Sequence, residues 1–423
     1  MRKLVTIVSL VIASASAHAG GLILNDHGAS ATGRADAVVA TVDDGSSIFY
    51  NPAGIAHKKG VNVYFGGSLI LPFASFTEES TGQVTDAERP TTVTPTFYIH
   101  GELANNLFVG IGAYAPFGSS SAWPASSPGR EQSRESTLRT VFISPVLGFN
   151  LSELVPGTLT VGGGFDLVPA DVDLRRDLLF GEDVGTLRLG GDGLGWGSRF
   201  GIQYAPTEDL AFGFTYRSTV GIDFGGDGDF DIDPPYRSEL PPDGKIEAFI
   251  KLPRSILGGV SYRPIPQLEV EFDLNWIDWR DLETLDITLP DGEVTSIDYQ
   301  WDDVFVLRLG AEYSLPHLGL DLRAGYAYDP TPVPDETLGF APPDADRHVL
   351  SVGAGYQLPQ NFFVDVGILY GIPVSNTTSD EPLRPQIKGE FDITFLVTAL
   401  SIGYRFGGQP QQPAIGTGTV ARK

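Results

Sequence analysis

From Val61 to Phe406 the chain alternates apolar and polar residues in strand-length runs, and the connections between runs alternate short and long. Residues 268–276 show the pattern. Leu268, Val270, Phe272, Leu274 and Trp276 fall on one face, and Glu269, Glu271, Asp273 and Asn275 on the other. Successive strand side chains point to opposite faces, so each such strand has a greasy side and a charged side. A soluble sandwich turns its charges outward. The reading here is that the charges point inward and the apolar face meets lipid, which describes a transmembrane β-barrel.

Fourteen strands are expected, near 61–71, 94–103, 107–116, 138–151, 157–169, 194–205, 208–219, 245–262, 266–278, 299–315, 318–329, 346–358, 361–371 and 391–406. Tight turns fall near Asn105-Asn106, Pro206-Thr207, Pro264-Ile265, Pro316-His317 and Pro359-Gln360. Long polar loops lie between them, near 72–93, 117–137, 170–193, 220–244, 279–298, 330–345 and 372–390. Short turns on one side and long loops on the other, with an even strand number, match an antiparallel outer-membrane barrel. A propeller or sandwich lacks that asymmetry. The last strand ends Leu400, Ile402, Tyr404 and Phe406, an aromatic terminus of the kind the outer-membrane assembly machinery recognises and that suits the interfacial girdle.

The N-terminus carries an export address. Arg2 and Lys3 precede an apolar run from Leu4 to Ile12, and Ala17-His18-Ala19 forms an A-x-A cleavage site before Gly20. Residues 1–19 therefore read as a secretory signal peptide. Removing them deletes two cations and no anions, taking the net charge from −25 to −27. A chain this acidic has no basic patch to meet phosphates, which excludes nucleic acid as a partner. There are no cysteines, so burial and backbone pairing alone hold the exported chain together. No apolar run after the signal is long enough for a membrane helix.

Residues 20–60 are not strand-like. They are rich in Gly, Ala, Ser and Asp and contain Asn51-Pro52-Ala53-Gly54. They are expected to fold into the lumen as a hatch, with 61–406 as the barrel and 407–423 as a Gly/Pro/Gln-rich disordered periplasmic tail. Within the hatch, the Asn51-Pro52-Ala53 turn is expected to anchor through the Asn side chain. Asp43 and Asp44 either pair with Arg34 or form a solvated carboxylate pair. Inward charges are costly unless paired or hydrated. Arg308, Arg323, Glu312, Asp321 and the Glu269/Glu271/Asp273 ladder are expected to pair across strands.

Catalytic chemistry is sparse. After the signal only His27, His57, His100, His317 and His348 remain, with no H-E-x-x-H or G-x-S-x-G. Asp227-Gly228-Asp229-Phe230-Asp231-Ile232-Asp233 offers alternating oxygen ligands but lacks the closing glutamate of a calcium loop. It reads as a solvated acidic loop, so no metal and no cofactor are expected.

Three blocks carry a family resemblance. Leu24-Asn25, Gly33-Arg34-Ala35, Asp43-Asp44 and Asn51-Pro52-Ala53 resemble the hatch of the FadL-type outer-membrane transporters, which include long-chain fatty acid and TodX-like aromatic hydrocarbon transporters. Leu252-Pro253, Leu257-Gly258-Gly259, Tyr262-Arg263-Pro264 and Trp276/Trp279 resemble the family's middle. Asp329-Pro330-Thr331-Pro332-Val333-Pro334, Pro343-Asp344-Ala345-Asp346-Arg347 and Gly353-Ala354-Gly355-Tyr356 form the third block.

The resemblance implies a monomeric, passive importer of hydrophobic small molecules, most simply long-chain fatty acids, with aromatic or alkane hydrocarbons as the alternative. Its surroundings would be outer-membrane lipid and lipopolysaccharide in a Gram-negative cell. A general porin would lack the hatch, and an adhesin would tolerate its loss. The implied route is capture on the outer loops, a shift of the hatch and lateral exit through the wall. Leu178, Leu179 and Phe180, with Leu187 and Leu189, either form the capture groove or pack the loops. Arg175, Arg176 and Arg347 either meet a substrate carboxylate, for which a guanidinium fork is suited, or form ion pairs. Pro116 cannot donate to a ladder. Pro116, Phe117 and Gly118 therefore either border the lateral exit, where the family has a kinked strand, or mark an ordinary strand-to-loop transition.

Overall fold

The computed structural model describes residues 21–407 apart from 89–90, 235, 283, 374 and 384–385. The expected signal peptide and the tail beyond Gly407 lie outside the described residues. The strands are β1 Val61–Glu78, β2 Val84–Asp86, β3 Thr92–Ala104, β4 Leu107–Tyr114, β5 Gly118–Ala122, β6 Glu135–Thr140, β7 Phe142–Asn150, β8 Thr158–Phe180, β9 Asp183–Ala205, β10 Leu210–Arg217 and β11 Val220–Asp231. They continue as β12 Gly244–Leu252, β13 Ser255–Ile265, β14 Leu268–Ile277, β15 Thr284–Thr288, β16 Val294–Asp298, β17 Val304–Leu315, β18 Leu320–Asp329, β19 Arg347–Gln357, β20 Phe362–Pro373, β21 Asn376–Thr377 and β22 Gly389–Phe406.

Fourteen of these close into an antiparallel barrel in the order β1, β3, β4, β7, β8, β9, β10, β13, β14, β17, β18, β19, β20 and β22. The ring shuts where β22 pairs with β1 in continuous register, from Val61 opposite Phe406 to Glu78 opposite Gly389. Alternation decides which side faces where. Phe272 and Leu274 are 45% and 39% exposed on the outer surface, whereas Glu271 and Asp273, which alternate with them, are each 0% exposed. The charges do point inward. No described helix is long and apolar enough to cross a membrane.

The structure corrects the expected loops. Residues 170–193 are not a loop, because β8 and β9 run on and pair from Thr158 opposite Ala205 to Phe180 opposite Asp183. The expected strand 245–262 is two strands. β12 pairs with β11 above the wall and β13 pairs with β10 and β14 within it. Pro253 lies at the break, where a residue without an N–H must interrupt a ladder. The Asp227–Asp231 run sits in β11, paired throughout with β9 and as far as Gly228 with β12, and Lys245 binds Asp227 at 2.7 Å. Among the described residues no acidic or histidine cluster could hold a metal.

Residues 21–60 occupy the lumen. They form two short helices, Ala29–Thr32 and Ser47–Tyr50, and a 3-10 turn, Pro52–Ala56, nearly all buried. Small wall residues admit this backbone. A methyl group at Gly201 would overlap Asn51 Oδ1, and one at Gly213 would overlap the Val39 carbonyl.

Candidate functional site

Above the membrane wall, the long β8–β9 hairpin, β11–β12 and the outer loops enclose a groove of about 680 Å3. Its apolar lining includes Leu174, Leu178, Leu187, Leu189, Phe230 and Ile287, and its charged lining is Arg175 and Arg176 together with Glu131, Glu135 and Asp298. Of the residues singled out in the sequence, Arg175, Arg176, Leu178, Leu187 and Leu189 line this groove. Leu179 and Phe180 do not line it; the Phe180 ring stacks on Tyr236 with centroids 4.9 Å apart. Arg347 stands apart as well. It is 0% exposed, paired with Asp344, and lies 5.1 Å from the Phe395 ring centroid.

Below the groove lies a second cavity of about 70 Å3. Ser136, Leu174, Leu189, Ile287 and Tyr299 line both, so the two spaces adjoin. Leu22, near the start of the lumenal segment, lines the inner one.

The wall beside Leu22 is interrupted. β4 ends at Tyr114 and β5 begins at Gly118, with Pro116 between them. The ladder from β3 to β4 begins only at Phe97, whereas β3 pairs with β1 from Thr92 onward. Pro95 falls in that one-sided half of β3, the place a strand tolerates proline. Residues 22–24 pair with the broken stretch. Leu24 N–H donates to the Pro116 carbonyl at 2.8 Å, Gly118 N–H donates to the Leu22 carbonyl at 2.9 Å, and Ile23 bridges to Phe117.

Further along, the lumenal segment is clamped from two sides. β14 supplies acceptors. Asp273 takes the N–H groups of Val38 and Val39 at 2.9 and 3.1 Å, and Glu271 takes Ala40 N–H at 2.6 Å. Arg34 completes this side, 3.2 Å from Glu269 and 3.3 Å from Glu271. β9 and β10 supply donors. Arg199 reaches the Ile48 carbonyl and Arg217 the Phe49 carbonyl, each at 2.7 Å, and Gln203 reaches Val42 at 3.0 Å. Asn51 caps its own turn by accepting from Ala53 N–H at 3.2 Å, and its amide donates to Val39 and Ile202 carbonyls at 2.8 and 3.0 Å.

The expected pairing of Arg34 with Asp43 or Asp44 is not formed. Asp43 binds Lys58 at 2.6 Å, and Asp44 accepts from Ser46 N–H at 2.7 Å. Arg34 was drawn away because β14 offers two carboxylates with little solvent to compete. Of the expected wall pairs, Arg323 joins Glu312 at 2.7 Å and also reaches Asp365 at 2.6 Å. The missed anchors, Arg199, Arg217 and Gln203, lie on inward positions of their strands. Alternation alone marks them as lumenal but not as hatch contacts.

Burial shifts two titratable groups of the lumenal segment toward their uncharged forms. It drives the His27 imidazole down to about 3 and pushes the Asp36 carboxyl up to about 6. On the other side of the segment a vestibule of about 1040 Å3 is lined by charges, among them Asp43, Lys58, Glu269, Glu312, Arg323 and Asp365.

A closed, outwardly apolar barrel with a packed lumen and an apolar groove above it is a transmembrane transport barrel rather than a catalyst. The family model for outer membrane transport proteins, OMPP1/FadL/TodX, matches residues 10–406, and the chain belongs to that family. It is an outer-membrane protein of the Gram-negative type. It is 25% identical to the long-chain fatty acid transport protein of Escherichia coli O6:H1, over 86% of this chain and 89% of that one. It is likewise 25% identical to the long-chain fatty acid transport protein of Salmonella typhi, over 90% and 94%. The fold superposes on a Pseudomonas aeruginosa FadL homologue with a TM-score of 0.82 at 17% identity, covering 92% of this chain and all of that one. It superposes on the Pseudomonas putida toluene transporter TodX with a TM-score of 0.72 at 16% identity, covering 91% of this chain and all of that one.

Proposed function

We propose that this chain carries hydrophobic small molecules passively across the outer membrane, with long-chain fatty acids as the substrate. The observation that carries the reading is the contrast between the two ends of the lumen. The outer groove and the cavity behind it adjoin and are lined mainly by apolar side chains, while the way straight down ends in a vestibule lined mainly by polar and charged ones. An apolar molecule gains by leaving water for the groove at about 25 cal/mol per Å2 of buried apolar surface. It gains nothing by entering the vestibule.

The route that avoids the vestibule runs sideways. A molecule captured between Leu178, Leu187 and Leu189, its carboxylate near Arg175 and Arg176, passes to the cavity at Leu22. Release of residues 22–24 from Pro116–Gly118 then uncovers the interrupted wall next to β3, and the molecule leaves into the membrane. Asn51-Pro52-Ala53 and the β14 carboxylates hold the rest of the hatch while its first residues move. No energy source is required, because lipid is the lower-energy destination.

The test is uptake of radiolabelled oleate by a transporter-null host expressing the chain, compared with Pro116→Val plus Gly118→Val. Uptake that falls in an inserted variant supports exit at the interruption. Normal uptake in the variant removes the exit but keeps the function. No oleate uptake from an inserted wild-type barrel favours aromatic or alkane hydrocarbons, for which groove arginines would be unnecessary.

A further inference from the structure

The groove and the cavity behind it differ in charge. Arg175, Arg176, Glu131, Glu135 and Asp298 line the groove, but no Asp, Glu, Lys, Arg or His stands among the described residues lining the inner cavity. An ionised carboxylate moved into it would leave water with no counter-charge to meet, which is strongly unfavourable.

The inner cavity is nevertheless not wholly apolar. β5 and β6 set Ser119 opposite Leu138, and β6 and β8 set Leu138 opposite Val172 and Ser136 opposite Leu174. Alternation puts all five on one face, and all five line the cavity. Ser119 is 2% exposed. Neither the Ser119 nor the Ser136 hydroxyl hydrogen-bonds to a described residue. Ser119 follows Gly118, whose N–H binds the Leu22 carbonyl, so its hydroxyl opens onto the space that Leu22 partly fills. Buried hydroxyls normally find a partner, and a hydroxyl can serve either a donor or an acceptor.

We propose that the cavity at Leu22 admits its substrate only in uncharged form, and that Ser119 and Ser136 receive one neutral hydrogen-bonding head: an alcohol, an ester carbonyl or a protonated acid. This rests on the transport reading and names the head group that the chain selects. A carboxylate held at the groove arginines takes up one proton from water before moving on. An alkane leaves both hydroxyls unpaired.

The experiment measures equilibrium binding of tritiated 1-dodecanol, dodecane and dodecanoate at pH 8 to the detergent-purified full chain. The comparison is with Ser119→Ala plus Ser136→Ala, and with Leu22→Trp, which fills the cavity. Wild type should hold dodecanol about five- to tenfold tighter than dodecane, the worth of one hydrogen bond. The double alanine variant should erase that preference while leaving dodecane unchanged. Leu22→Trp should weaken dodecanol and dodecane but not dodecanoate, which stays in the groove. Equal binding of dodecanol and dodecane, an alcohol preference that survives the double variant, or dodecanoate competing equally at the site sensitive to Leu22→Trp would each overturn the proposal alone. Binding of none of the three would overturn the transport reading with it.

Discussion

Glu271 shows how much one inward side chain can hold. Its carboxylate is 0% exposed and accepts from Ala40 N–H, Thr41 Oγ1 and Arg34. Replacing it with leucine strands a backbone donor and removes one of the partners of a buried guanidinium. Glu271→Leu should therefore lower stability by about 3–5 kcal/mol, read from urea unfolding of the purified barrel. Asp36 and His27 make opposite contributions with pH. His27 has its folded value depressed from 6.5 to about 3, so its stabilisation is present above pH 6.5 and lost as pH falls toward 3. Asp36 has its folded value raised from 3.8 to about 6, so its stabilisation is present below 3.8 and lost as pH rises through 6. Asp36→Asn removes the second effect only. Relative to wild type, that variant should lose about 2 kcal/mol more stability between pH 7 and pH 4, followed by unfolding at each pH.

At the level of elements, the stretch between β4 and β5 is closed by residues 22–24 rather than by a neighbouring wall strand. Leu24→Pro removes the N–H that reaches the Pro116 carbonyl. Loss of one backbone hydrogen bond favours release by about fivefold. Oleate uptake at low concentration should rise by a similar factor, with groove affinity unchanged; unchanged uptake would count against a gate at that point. β12 and β13 teach a related lesson. They are continuous in chain order, yet Pro253 lets one join the extracellular sheet and the other the barrel wall. The same residue type interrupts the barrel after β4.

For the whole molecule, the lumen is filled by residues 21–60, held by donors on one wall and acceptors on the other. Deleting residues 22–58 should convert a tight barrel into an open one. In planar bilayers the wild type should show almost no ion conductance and the deletion variant stable, porin-sized steps. A non-conducting deletion variant, shown to be inserted, would mean that the outer loops rather than the hatch close the barrel.

The barrel itself was legible in the chain. A side-chain period of two is enforced by strand geometry, so Glu271 and Asp273 beside Phe272 and Leu274 already stated which face meets lipid. Short and long connections stated the topology, and Asn51-Pro52-Ala53 stated its own turn, because all of these are local. The pairing of Arg34 was not legible. Asp43 and Asp44 are nine and ten residues away, but Glu269 and Glu271 are brought beside it only when the hatch enters a closed ring. Nor could the chain say that Leu178 lines the groove while Leu179 and Phe180 do not, or that Arg347 is buried. Those outcomes depend on which loops extend as strands and on what packs above them. Local chemistry determined the strands, the turns and the membrane-facing surface; barrel closure around the hatch decided the ion pairs, the two adjoining cavities and the place where the wall is interrupted.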